Sequence, residues 1–288
     1  MNRITVATLA LLAGSFFASL FCLEWPVSEI YIERIFGQRA GKTIEQGILF
    51  NQTDIVRSSG NGDILCVLEQ NHNMHGFPGT LGNAVIVSHE DGLLSVYGNL
   101  DSHERIKDRV TVESGTILGS SGKTGYAKPG DLIFQVLDQR RLIALNPFLL
   151  LPSLADTKAP TIKNVIAVSS SGQNLSLGSI KSVRQGSYRI FADISDTFDK
   201  NGKNVAPFRV TLLLNGREYH AVPFELIKSE HGLVFLGSDQ YVTSRLYGDP
   251  ERIFLGEINL TRGKNELSIL ARDTAGNERG AVFTVQTE

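Results

Sequence analysis

Gly82-Asn83-Ala84-Val85-Ile86-Val87-Ser88-His89-Glu90-Asp91-Gly92-Leu93-Leu94-Ser95-Val96-Tyr97 is the stretch from which the rest of the chain is read. Ala84 to Ser88 and Leu93 to Tyr97 are short apolar runs rich in β-branched residues, which predicts two strands. The residues between them end in Asp91-Gly92, a pair that reverses the chain at little steric cost, so the two strands read as a β-hairpin. The same texture extends outward. Ile64 to Leu68 is a strand before the hairpin, and Val110-Thr111-Val112 and Thr116-Ile117-Leu118 flank Glu113-Ser114-Gly115 after it. Leu132 to Leu137 alternates beyond Gly130, and a compact β core closes near Leu151-Pro152.

The composition agrees with an all-β chain of two domains. There are 288 residues, with 28 basic and 30 acidic side chains, a net charge of −2 and 42% hydrophobic residues. That balance excludes both a nucleic-acid footprint and a disordered chain. Two cysteines, Cys22 and Cys66, exclude a disulfide scaffold and a thiolate metal cluster. Cys66, inside Asp63-Ile64-Leu65-Cys66-Val67, is expected to be a buried apolar filler. Residues 1–22 read as a signal peptide: Arg3 precedes an uncharged run from Ile4 to Leu23 with small residues near its end. Export to the periplasm or cell envelope follows, with an uncleaved N-terminal membrane anchor as the alternative. Lipidation at Cys22 ranks lower, because bulky Phe21 precedes it.

Gly82 to His89, Asp91-Gly92-Leu93, Tyr97-Gly98-Asn99-Leu100, Val112 to Gly115, Gly119, Gly122, Thr124-Gly125 and Gly130 to Val136 occur in an order that closely resembles the lysostaphin-like (LytM) zinc endopeptidases. The resemblance runs from about Trp25 to Pro152, so residues 23–152 are expected to form a LytM-type β-sheet core. It implies an enzyme that cuts the peptide cross-bridges of peptidoglycan. In that family zinc is held by the His and Asp of a His-x-x-x-Asp element and the last His of a His-x-His element, and two further histidines activate water. Carried over position by position, these five places hold Glu45, Leu49, Asn99, Asp131 and Ile133. Leu49 and Ile133 carry no lone pair, so two of the three metal ligands are gone. The chain therefore reads as a pseudoenzyme with no catalytic residues, no metal and no cofactor. Its degenerate groove would bind peptidoglycan peptide or regulate a cell-wall hydrolase, as catalytically dead members of the family that activate amidases do. Asn99 and Asp131 would line the groove beside Glu45, with Tyr97 packed at its base. For Asp131 the plainer reading is a solvated turn residue.

Two other functions are carried along. One is an active metalloendopeptidase with a relocated zinc site at His72 and His75, in the loop Gln70 to Gly76; the plainer reading is solvated loop histidines, and His89 and His103 are read likewise as surface residues. The other is a structural interaction scaffold of the envelope.

Residues 153–160 read as a linker, and 161–288 as an immunoglobulin- or fibronectin-like β-sandwich. Ile162 to Val168, Tyr188 to Ile194 and Val210 to Leu214 are strands, and Asn215-Gly216 joins the last to Arg217 to Val222 as a hairpin. Glu266 to Arg272 and Gly280 to Val285 flank Asp273-Thr274-Ala275-Gly276-Asn277, which resembles the last turn of bacterial immunoglobulin-like domains. Asp196 to Asn204 is rich in oxygen donors, but its spacing departs from a calcium loop, so a plain polar loop is expected. Phe224 to Gly256 is longer than a sandwich loop needs, which makes Tyr241, Leu246 and Tyr247 candidates to pack across the first domain.

Overall fold

The computed structural model describes residues 22–70, 79–102, 106–198, 203–237 and 241–288. The expected leader, apart from Cys22, lies outside them, as do His72, His75 and His103. Among the described residues no helix is long and apolar enough to cross a membrane.

The opening hairpin forms as read. Asn83–Ser88 pairs antiparallel with Leu93–Ser102, and the chain reverses through Asp91 (φ 65°) and Gly92 (φ 79°). Gly62–Leu68 lies on one side of this pair and Leu132–Asp138 on the other. Thr111–Val112 and Ile117–Ser121 do not pair with each other. The former joins the edge of Gly62–Leu68, and the latter joins Ile55–Arg57 and the far end of Leu93–Ser102. Ile48–Phe50 is laid beside Leu132–Asp138 with Leu49 opposite Ile133. Alternation then sorts the side chains: Leu132, Phe134 and Val136 are buried on one face of the strand, while Ile133 and Gln135 face the other way.

Two residues depart from expectation. His89 is not a surface residue but is 5% exposed, because folding supplies partners for both ring nitrogens. Its Nδ1 lies 2.7 Å from the Asn61 carbonyl and its Nε2 2.7 Å from the Ser95 hydroxyl, which stands 3.0 Å from the hydroxyl of the fully buried Tyr97. Nδ1–H donates to the Asn61 carbonyl, and burial lowers the His89 pKa. Tyr97 Oη in turn accepts the Ser59 backbone N–H at 2.7 Å, and its ring packs against Phe134. Tyr97 therefore supports the sheet from beneath. Cys66 is half-buried rather than buried, because its strand is covered on one face only.

The second half is a two-sheet sandwich. One sheet places Thr161–Ser169, Gly186–Thr197 and Ile253–Leu260 side by side; the other runs Ser182–Val183, Glu278–Thr287, Gly263–Arg272, Arg209–Leu214, Arg217–Pro223. Ser182–Val183 pairs in parallel with the last strand at the edge of the second sheet. Asn215 (φ 53°) and Gly216 (φ 77°) make the tight turn their residue types demand.

The long segment after Phe224 joins the two halves. Its hairpin, Leu226–Glu230 and Leu233–Leu236, belongs to neither sandwich sheet. Leu226–Glu230 pairs with Ile143–Leu145, with Leu145 opposite Leu226, and so extends the first sheet across what would be an open edge. Asn146 at the end of that edge donates from Nδ2 to the Phe224 carbonyl at 2.7 Å. Fully buried Phe224 and Leu236 close over Gly37, where an added Cβ would stand 2.6 Å from the Phe224 ring. Burying two such side chains contributes about 1.5–3 kcal/mol each. Tyr247 reaches the first half directly, donating to the Gly37 carbonyl at 2.6 Å, while Tyr241 and Leu246 are buried in the apolar core that runs through both halves.

Candidate functional site

A cleft of about 480 Å³ opens where Ile48–Phe50, Leu132–Asp138 and the bend after Tyr97 converge. Leu49, Asn99, Asp131 and Ile133 all line it. Four of the five positions singled out in the sequence are thus brought together. Leu49 and Ile133 are register partners on adjacent strands, and their hydrocarbon side chains face the cleft.

Asn99 is committed to the wall. Its backbone is left-handed (φ 66°), a conformation asparagine tolerates better than most residues. Its Nδ2 donates to the carbonyls of Thr80 (3.1 Å) and Thr124 (2.8 Å), tying two loops together. Asp131 is 8% exposed rather than solvated, and its Oδ2 accepts the Lys128 backbone N–H at 2.9 Å across the turn that Gly130 permits. Glu45 does not line the cleft. Its Oε2 accepts from Arg34 Nε at 3.2 Å, and burial raises its pKa while Arg34 opposes the shift. Gly47, between Glu45 and Leu49, lets the strand pass so close to Phe134 that an added Cβ would lie 2.1 Å from that carbonyl oxygen.

Several lining residues escaped the sequence reading. Arg34, Glu33 and Asn51 come from the segment before the hairpin, and Tyr126, 79% exposed, stands at the rim. Lys203 comes from the second half of the chain and forms an ion pair with Glu33, which also accepts from Asn51 Nδ2 at 2.8 Å. The Asn51 and Asn99 amide oxygens are buried in the wall without hydrogen-bond partners. No local pattern marks Lys203, since its role depends on how the halves dock. Tyr126, next to Thr124-Gly125, was the one that an exposed aromatic in a Gly- and Lys-rich loop could have flagged.

The donor set does not fit the zinc that the resemblance implies. At the aligned positions the side chains are two hydrocarbons, an amide whose nitrogen is already engaged, a turn-closing carboxylate and a glutamate paired with arginine. A zinc site needs three converging imidazole, thiolate or carboxylate donors.

Comparison with known proteins agrees with this frame. Residues 43–147 match the model of peptidase family M23, and residues 159–288 match a second family model. An uncharacterised protein of Treponema pallidum (strain Nichols) is 36% identical over 126 residues, which span 40% of this chain and 86% of that protein. Among solved structures, the SpoIIQ–SpoIIIAH pore-forming complex contains a chain that is 21% identical, with a TM-score of 0.37, over 46% of this chain and 92% of that one. The catalytic domain of lysostaphin from Staphylococcus simulans is 23% identical, with a TM-score of 0.35, over 42% of this chain and 90% of that one. Through its first half, the chain belongs to peptidase family M23.

Proposed function

We propose that this protein is a non-catalytic, exported envelope protein whose M23 cleft binds the peptide of peptidoglycan. The observation that carries the reading is the Leu49–Ile133 pair: the frame is kept, and the two places where donors should converge hold hydrocarbon in register. Such a cleft cannot polarise a carbonyl or activate water through a metal held there, but it can hold a chain. Its apolar floor and the exposed Tyr126 ring at the rim can pack against peptide side chains, while Lys203 and Arg34, each paired with a glutamate, keep further N–H groups for a peptide's carboxylates. The uncharged run from Ile4 to Leu23 supports export.

Incubating the protein with purified sacculi and zinc tests this. Protein is expected in the pellet, no fragments in the supernatant, and about tenfold weaker binding for Tyr126→Ala and for Lys203→Ala. Fragments that disappear with chelator would overturn the non-catalytic reading. Absence from the pellet would overturn wall binding and direct the search to a partner hydrolase.

A further inference from the structure

Far from any spacing motif, the fold gathers three carboxylates. Asp156 comes from the linker, Asp196 from the end of Gly186–Thr197, and Asp273 from the turn before the last strand. One oxygen of each lies within 4.8 Å of the others. Three oxygens ringing one Ca²⁺ at about 2.3–2.6 Å stand roughly 4–4.5 Å apart, so small side-chain adjustments bring all three within reach of a single ion.

Proximity alone would mean little, but the hydrogen bonds around the cluster are incomplete. Asp273 is satisfied: it accepts from the Asn277 backbone N–H and from Asn277 Nδ2, both at 2.8 Å. Asp156 Oδ1 accepts the Lys158 N–H at 3.0 Å, and Asn277 Nδ2 also donates to the Asp156 carbonyl at 3.1 Å, holding the linker against the turn. Asp156 Oδ2 and Asp196 Oδ1 are buried with no partner, and the whole Asp196 residue is only 4% exposed. A buried carboxylate oxygen left unpaired beside two other carboxylates is costly unless a cation completes it.

We propose that Asp156, Asp196 and Asp273 bind a calcium ion that fastens the linker to the end of the sandwich. The donors are all oxygen, from three separate segments, which suits a hard cation with flexible coordination rather than zinc. Asp196 pairs with Val205, two residues from Lys203 of the cleft, so the same ion would brace the residue that the second half lends to the first. The inference stands independently of what the cleft binds.

The test is calcium titration of the full chain after removal of metals by chelator, read by calorimetry and by thermal melting. One Ca²⁺ per chain is expected, with the melting temperature raised by about 3 °C or more at about 1 mM. Asp196→Asn and, as a second variant, Asp156→Asn are expected to lose that response. In chelator Asp196→Asn should melt no lower than the unaltered chain, because the amide relieves repulsion that only the ion otherwise offsets; a merely structural carboxylate would not behave so. No heat and no shift at about 10 mM calcium would overturn the proposal, as would a full shift retained in both variants. An equal response to Mg²⁺ would overturn the assignment to calcium.

Discussion

The M23 cleft and the aspartate cluster at the linker are opposites. In the cleft, the sequence matches peptidase family M23, while the positions that the resemblance singles out hold no converging donors: Leu49 faces Ile133, and Glu45 is turned to Arg34. At the linker, no spacing in the sequence announces a site, yet three carboxylates converge and two of their oxygens lack partners. A family match can stand without the family's donors at the expected places, and carboxylates can assemble where no motif exists. Reading motifs finds the first kind of place and misses the second.

The comparison can be broken most forcefully at Gly47. If the cleft's frame is what has been retained, Gly47→Ala drives a methyl against the Phe134 carbonyl and destabilises the first sheet by about 3 kcal/mol or more, measured by denaturant unfolding. An unchanged midpoint would show that the close approach is dispensable. Next in size is restoration of the donors. The combined variant Glu45→His, Leu49→Asp and Ile133→His is expected to tighten zinc binding by about a hundredfold over the unaltered chain, read by competition with a chromogenic chelator. No gain would mean that the frame has drifted as well as the side chains. The smallest effect is expected at the joint between the halves: Tyr247→Phe removes the hydrogen bond to the Gly37 carbonyl and should cost about 1 kcal/mol. A loss no larger than experimental scatter would mark that bond as incidental to docking.

What the sequence disclosed follows from how local each cause is. Asp91-Gly92 and Asn215-Gly216 carry their turns in their own backbone preferences, so both hairpins were legible. Asn99 and Ile133 were placed by intact neighbours, whereas Glu45 and Leu49 had only Gly37, Gly47 and Ile48 to fix them. His89 was not legible, since the two groups that satisfy its ring, Asn61 and Ser95, reach it only after the strands pair. The same holds for Lys203, whose partner Glu33 lies in the other half. Asp196 to Asn204 carries no calcium spacing within itself, and the companions of Asp196, Asp156 and Asp273, come from distant segments, beyond the reach of any spacing rule.

The hairpin Leu226–Leu236 has a consequence for the order in which the molecule is made. A chain emerging from the ribosome offers its N-terminal half first. Here that half stays unfinished, with Ile143–Leu145 as a bare margin and Gly37 uncovered, until most of the following unit has emerged. The two halves are thus stitched by the later one reaching back, and a truncation after the linker would leave the earlier half with an adhesive border.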